Sequence, residues 1–283
     1  MWANYHTHSN FCDGAETIPV IASTAFGKGL QSLGFSSHAP LPFETPWSMK
    51  PNRFIDYLLE IEKVKSAFPS IEIYKGLEVD YIPAKRKPAD FAADLDYTIG
   101  SIHFVDEFAD GKGWEIDGSH NLFLKGLEQI FKNDLRGAVT RYFELTREML
   151  SASPPDIVGH LDKIKMQNIG ESLFKESDRW YKAEIEKTLD AIEASGAIVE
   201  VNTRGVYQRK CDVVYPSPWI LGKILERNIP ITLSSDAHHP KDLSSYFSEA
   251  AQQLLAIGFR KISILSKGSW KPATLTTDGI KFP

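Results

Sequence analysis

The sequence predicts an α/β fold, a closed barrel of parallel strands ringed by helices, and three observations carry that expectation. Short apolar runs alternate with amphipathic helical patterns from end to end, the arrangement that yields a parallel sheet. Seven or eight such units follow one another without the Gly-rich fingerprint that opens a doubly wound dinucleotide fold. Polar residues able to bind metals or move protons recur where the apolar runs end, as in barrels whose chemistry sits at the C-terminal mouth. At 283 residues, 42% of them hydrophobic, the chain is long enough to bury one large core. No repeat, low-complexity tract or Ser/Gly linker divides it, so a single domain spanning 1–283 is expected.

Strands are expected at 3–7, 32–37, 71–79, 97–103, 156–160, 197–202 and 230–235, and a further run at 261–265 is expected to close the structure. Helices fill the intervals. Pro51 suits the first helical position of a segment whose Phe54, Leu58, Ile61 and Val64 repeat at helical spacing. Trp180, Ile185, Leu189 and Ile192 do the same ahead of Gly196, a residue suited to terminate a helix in the left-handed conformation. Ser217 and Pro218 read as cap and first residue of the next helix, with Ile220, Leu221, Ile224 and Leu225 on its core face. The stretch 104–150 is too long for a simple connection and is expected to hold a loop, 104–119, then extra helices.

Net charge is −5 with both signs well mixed, which offers no electrostatic footprint for nucleic acid. The opening MWANYHTHSN lacks a basic region followed by an apolar one, and no run approaches the roughly 18 apolar residues of a membrane span. Cys12 and Cys211 form neither a CxxC pair nor a disulfide framework. A cytoplasmic, reducing setting without membrane partners is therefore expected.

The strand ends carry the chemistry. His6 and His8 lie in the first run, and alternation places residues i and i+2 on one face, so two imidazoles project together. Asp13 follows in Cys12-Asp13-Gly14. His38 ends the second run, Glu78 the third, His103 the fourth and His160 the fifth. Asn202 and Arg204 lie at the end of the sixth, and Asp236 and His238 at the end of the seventh. One histidine at a strand end is ordinarily a turn residue or a satisfied core group. Six of the eight histidines at equivalent strand ends, joined by Glu78 and Asp236, form a pattern that independent turns do not produce. His120 and His239 read as loop polarity, Cys12 as a small buried thiol, and Gly14 and Gly205 as tight turns beside the site.

The order His6-Thr7-His8, His38, Gly76-Leu77-Glu78, Ser101-Ile102-His103, Gly159-His160 and Ser235-Asp236-Ala237-His238 resembles the polymerase-and-histidinol-phosphatase (PHP) superfamily over nearly the whole chain. The resemblance implies a distorted (β/α)7 barrel with a trinuclear metal centre. Carried over position by position, His6, His8, Glu78 and Asp236 would hold the first ion. Glu78 would bridge to a second, completed by His103 and His160. Asp13, His38 and His238 would hold the third, with Asp13 standing where some members have a histidine. The segments 100–106 and 114–117, with GHLDKIK (159–165) and EVNTRG (200–205), are similar to the histidinol-phosphatase branch.

A phosphate monoester needs charge neutralisation and an activated water, which paired divalent ions supply. The expected reaction is hydrolysis of L-histidinol phosphate by attack of a metal-bridging hydroxide on phosphorus, with Glu78, Asp236 and Arg204 as its catalytic groups. Three divalent ions are implied, and imidazole with carboxylate accepts zinc, iron and manganese alike. Arg204 is the expected phosphate ligand through its paired donors. Phe104, Trp114 and Asp117 are the expected contacts to the amino-imidazole end, with Asp106, Glu107 and Glu115 nearby. Asp13 and His238 are alternative donors of the leaving-group proton, and Asp162 suits either a ligand-orienting role or a helix cap. The alternatives are a PHP-type phosphoesterase acting on another small phosphate ester or a nucleic-acid 3′ end, and a non-catalytic metal-binding regulatory module. An amidohydrolase would use a bridging lysine on the fourth strand, where this chain offers Glu78 on the third.

Overall fold

Seven parallel strands pair side by side in the computed structural model, which describes residues 1–282. They are β1 (Ala3–Asn4), β2 (Ser32–Phe35), β3 (Glu72–Asp80), β4 (Tyr97–Ser101), β7 (Ile157–Val158), β8 (Ile198–Asn202) and β9 (Ile231–Ser234), in that spatial order. Beyond the strand ends, Thr7 bridges Ala237: His8 N donates to Ala237 O at 2.9 Å and Ala237 N to His6 O at 3.1 Å. The Asn4 side chain adds a bond to Ser235 Oγ at 2.8 Å. The sheet thus curls until its first and last members meet, as the alternating pattern predicts. All five residues of β8 are buried, because a parallel sheet wrapped by helices is covered on both faces.

The outer layer is α1 (Ile18–Gly27), α2 (Phe54–Ala67), α3 (His120–Gln129), α4 (Leu135–Ala152), α5 (Arg179–Ser195), the short α6 (Arg204–Tyr207), α7 (Pro218–Glu226) and α8 (Phe247–Ile257). Pro51 starts a tight turn, Pro51–Arg53, that leads into α2, where Tyr57, Ile61 and Val64 face inward. Gly196 ends α5 at φ +73°, a conformation that costs glycine nothing. Ser217 does precede α7, but its hydroxyl donates to Asp162 Oδ2 (2.9 Å) instead of capping. No helix among the described residues is long and apolar enough to cross a membrane.

Two expectations are corrected. Residues 104–119 are not a plain loop: β5 (Phe104–Glu107) and β6 (Gly113–Glu115) form an antiparallel hairpin ahead of α3 and α4. Nor does the run at 261–265 complete the barrel wall. It becomes β10 (Lys261–Ser266), which pairs antiparallel with β11 (Ser269–Thr276), itself paired with β12 (Gly279–Lys281). This small sheet covers the mouth at the strands' N-terminal ends. Trp270 packs edge-on against Tyr5 and Tyr97 at 5.1 and 6.2 Å, and Ser266 Oγ reaches Glu72 at 3.2 Å.

Tyr97 plugs that end from within. Its hydroxyl donates to the carbonyl of Tyr5 at 2.6 Å, and its ring lies across Gly34 and Gly76. A Cβ at Gly34 would fall 2.2 Å from the hydroxyl, and one at Gly76 would fall 2.3 Å from the ring. Neither neighbour can yield, because Tyr97 is 1% exposed. Gly76→Ala is therefore expected to cost about 1–3 kcal/mol through overpacking. Tyr97→Phe should cost about 1 kcal/mol by orphaning a carbonyl. Urea unfolding measures both, and an unchanged midpoint in Gly76→Ala would mean that the ring is not wedged there.

Helices α4 and α5 are joined by Arg147, which reaches Glu184 Oε2 at 2.8 Å and Thr188 Oγ1 at 3.0 Å. Burial pushes the Glu184 carboxyl up, but bonds from Lys187 and Arg147 outweigh it and hold the group below its ordinary 4.5. A depressed carboxyl stabilises the fold above its unfolded value and loses that contribution as pH falls through the folded one. Glu184→Gln is accordingly expected to flatten the acid limb of the stability–pH curve below about pH 4.5, leaving the neutral limb parallel to the parent's.

Candidate metal centre

The barrel brings the polar strand ends to one mouth, around Glu78. This side chain projects from β3, is 1% exposed, and divides its two oxygens between two sets of imidazoles. Oε2 faces His38 Nδ1 (2.9 Å), His6 Nε2 (3.2 Å) and His8 Nε2 (3.5 Å). Oε1 faces His160 Nε2 (2.9 Å) and His103 Nε2 (3.6 Å), and accepts from Ser101 Oγ (2.7 Å). Asp236 enters from beyond β9, its Oδ1 3.3 Å from His8 Nε2, 3.8 Å from His6 Nε2 and 3.4 Å from His238 Nδ1. Asp13 lies on the outer side, 3.2 Å from His238 Nε2 and 3.8 Å from both His8 Nδ1 and His38 Nε2. Gly14 lets this loop close, since a Cβ there would sit 2.4 Å from the Ser9 nitrogen.

Donor atoms close enough to share an ion fall into overlapping groups: His6 with His8 and Asp236; Glu78 with His103 and His160; and His8 with Asp13, His38 and His238. A further group, His38 with Asp80 and His103, was not foreseen from sequence. Divalent ions fit this set. His6 Nε2, His8 Nε2 and His38 Nδ1 are buried without a hydrogen-bond partner although carboxylate oxygens lie beside them. Acceptors turned on acceptors in a dry pocket call for a cation between them.

The electrostatics agree. Burial alone would raise the Glu78 carboxyl, but His6, His38, His103 and His160 around it hold it well below the usual carboxylate range. Asp236 is held down against burial by His6, Arg204 and His8. Burial opposes charge on His103, yet Asp80, Asp117 and Glu78 carry its value up to about 9. Asp13 is likewise held below its ordinary value, against burial, by His238, His38 and His8. Burial and Asp13 push the Cys12 thiol up to about 12; it sits half-buried with Sγ 3.4 Å from His8 Nδ1.

A family model described as "PHP domain" matches residues 4–204. The chain belongs to the PHP family. It is 29% identical to a "Probable histidinol-phosphatase" of Deinococcus radiodurans, over 91% of this chain and 94% of that one. Identity to a "Histidinol-phosphatase" of Bacillus subtilis is 28%, over 84% and 94%. The crystal structure of histidinol phosphate phosphatase from Lactococcus lactis, complexed with zinc, L-histidinol and phosphate, superposes with a TM-score of 0.68 at 19% identity, over 99% of both chains. That likeness shows a shared fold, the distorted barrel of PHP proteins.

Above the PHP cluster lies a cavity of about 210 Å3. Asp13, His38, His103, Asp236 and His238 form its floor. Arg204, Lys163 and Lys210 supply positive charge, and Trp47, Glu115, Asp117 and Tyr215 line the remaining wall. Arg204 is fixed by its Nη1, which donates to the Asp236 carbonyl at 2.6 Å and also bonds to His238 Nδ1. Asp117 pairs with Lys163 at 3.0 Å and approaches His103 at 3.9 Å.

Other expected contacts lie elsewhere. Trp114 is fully buried among Phe123 and Phe131, because in the hairpin its side faces α3 instead of the mouth. Phe104 stacks on Trp47 behind the cavity wall. Asp106 and Glu107 are exposed, the latter paired with Lys85 at 3.2 Å. Asp162 neither caps nor touches His160; it accepts from Lys165 (2.9 Å) and the Ser217 N–H (2.9 Å). His120 bonds Gln167 and His239 accepts from Lys241 N, both outside the centre.

Sequence reasoning missed Glu200, Lys163 and Trp47. Glu200 had a signal, a charged residue inside the otherwise apolar Ile198–Asn202 strand. Lys163 stands three residues after His160, one helical turn on; Trp47 sits in a loop with no pattern to mark it. Metal analysis after reconstitution is expected to find at least two ions per chain, and His38→Asn to lose one. Fewer than two ions, with His38→Asn unchanged, would contradict the centre. Chelation should lower the melting temperature, since ions that bind only the folded chain stabilise it by mass action.

Proposed function

We propose that this protein is a divalent-metal-dependent phosphomonoesterase that hydrolyses L-histidinol phosphate to L-histidinol and phosphate, a step of histidine biosynthesis. The observation that carries the reading is a single cavity lined by the imidazole–carboxylate cluster together with the cations Arg204, Lys163 and Lys210 and the pair Trp47 and Glu115. The names of the Deinococcus and Bacillus relatives, and the ligands in the Lactococcus structure, support the same substrate.

Three ions are read into the cluster, zinc, iron or manganese. His6, His8, Glu78 and Asp236 would hold the first, Glu78, His103 and His160 the second, and Asp13, His38 and His238 the third. When bound, such ions neutralise phosphate charge and lower the pKa of a coordinated water. The chain's own residues do the rest. Arg204, clamped through Nη1, offers its remaining N–H groups to the phosphate as charge builds in the transition state. Lys163, paired with Asp117, and Lys210 add positive charge to the lining. In the same lining Trp47 Nε1 donates to Glu115 Oε1 at 3.0 Å, setting an aromatic face beside a carboxylate. That pairing suits an imidazole and an ammonium.

Phosphate release should be fastest from L-histidinol phosphate when compared with other small monoesters and a single-stranded oligonucleotide. No advantage over generic esters would remove the substrate assignment while leaving the metal centre intact. Arg204→Lys is expected to lower kcat/KM by about 10²–10³. Glu115→Gln should raise KM for histidinol phosphate and leave hydrolysis of an aryl phosphate unchanged, since it touches only the organic end.

A further inference from the structure

Glu200 binds no ion in the assignment above, yet it is fully buried in β8 and faces the back of the centre. Its Oε1 lies 2.6 Å from His6 Nδ1. Its Oε2 accepts from the His160 backbone N–H at 2.8 Å and from Asn202 Nδ2 at 3.1 Å. Asn202 cannot turn its amide around, because its Oδ1 accepts the Arg204 backbone N–H at 2.9 Å while Nδ2 also faces Asp236 Oδ2 at 3.3 Å.

We propose that Glu200 is the positioning residue that sets the tautomer of His6, a role resting on the reading of this cluster as a metal centre. A carboxylate accepts only, so it fixes the imidazole proton on Nδ1 and leaves the Nε2 lone pair for the ion. Nε2 points where Glu78 Oε2 and Asp236 Oδ1 converge, 3.2 and 3.8 Å away. The same carboxylate, through Oε2, pins the backbone of His160 and the side chain of Asn202. One group thereby registers ligands from the ends of two other strands, β1 and β7, against its own.

The isosteric change Glu200→Gln separates this role from simple packing. Two donors that cannot reverse face the Oε2 position, so the glutamine oxygen must take that side. Its NH2 then donates to His6 Nδ1, the ring proton moves to Nε2, and an N–H points at the ion's place. Zinc affinity, measured by competition with a chromophoric chelator, is expected to fall about 10–100-fold, while metal-free unfolding of parent and variant stays parallel. An E200Q protein that folds and takes up zinc as tightly as the parent overturns the proposal; a parent that takes up no zinc overturns the metal-centre reading instead. Nitrogen-15 NMR of the zinc-loaded parent decides independently, even if E200Q does not fold. Nδ1 of His6 should be protonated and Nε2 coordinating, and the reverse arrangement sinks the assignment.

Discussion

An ionised carboxylate at the middle of a protein is tolerable only if its surroundings compensate it, and Glu78 imposes that requirement on the whole barrel. At 1% exposure it cannot lean on water. Its compensating groups arrive from the ends of β1, β2, β4 and β7, with Ser101 donating from β4 as well. None of these segments could supply its imidazole from another register, because a one-residue slip turns every side chain to the opposite face. The charge at the centre and the pairing of the strands are therefore one problem with one solution. Removing a single imidazole leaves an under-compensated buried charge, which costs more than the lost contact.

The two mouths of the barrel divide the labour. At the N-terminal end, Tyr5, Tyr97 and Trp270 pack edge to face under a three-stranded cover, and the hydroxyl of Tyr5 both accepts from and donates to Leu265. That end is apolar, plugged and sealed. At the other end the strands stop short, and their continuations carry the histidines and acids. Rigidity below and chemistry above is the distribution expected of βα-barrels, and it explains why the antiparallel addition sits where it cannot obstruct the cavity.

How much of this was legible from the sequence depended on whether a residue sat on a periodic element. The seven strands and most helices were readable because burial imposes a period, and eight of the nine expected ligands stood out as polar residues at strand ends, Asp13 alone lying in a loop and joining them through the family resemblance. Trp114 was misplaced because composition says that an aromatic is present, not which way a hairpin turns it. Trp47, in a loop, was invisible for the same reason. Glu200 went unmarked although a charge among valines should have flagged it. The run at 261–265 has the composition of a barrel strand. Only its antiparallel partner, two residues further on, distinguishes it.

The closure at Thr7 and Ala237 has one more consequence. His6 and His8 each precede their counterparts Asp236 and His238 by 230 residues (236 − 6 and 238 − 8), and the two segments meet at that bridge, at Asn4 with Ser235, and at His8 with Asp236. On a ribosome the early strands and helices can gather as they emerge, but the mouth stays an open crescent until the seventh strand is released. The donors His6, His8, Glu78 and Asp236 are not all present in any fragment that stops before Asp236. Maturation of the centre is thereby tied to release of the seventh strand, and a product truncated before Asp236, however well its early half has folded, is kept from assembling the site.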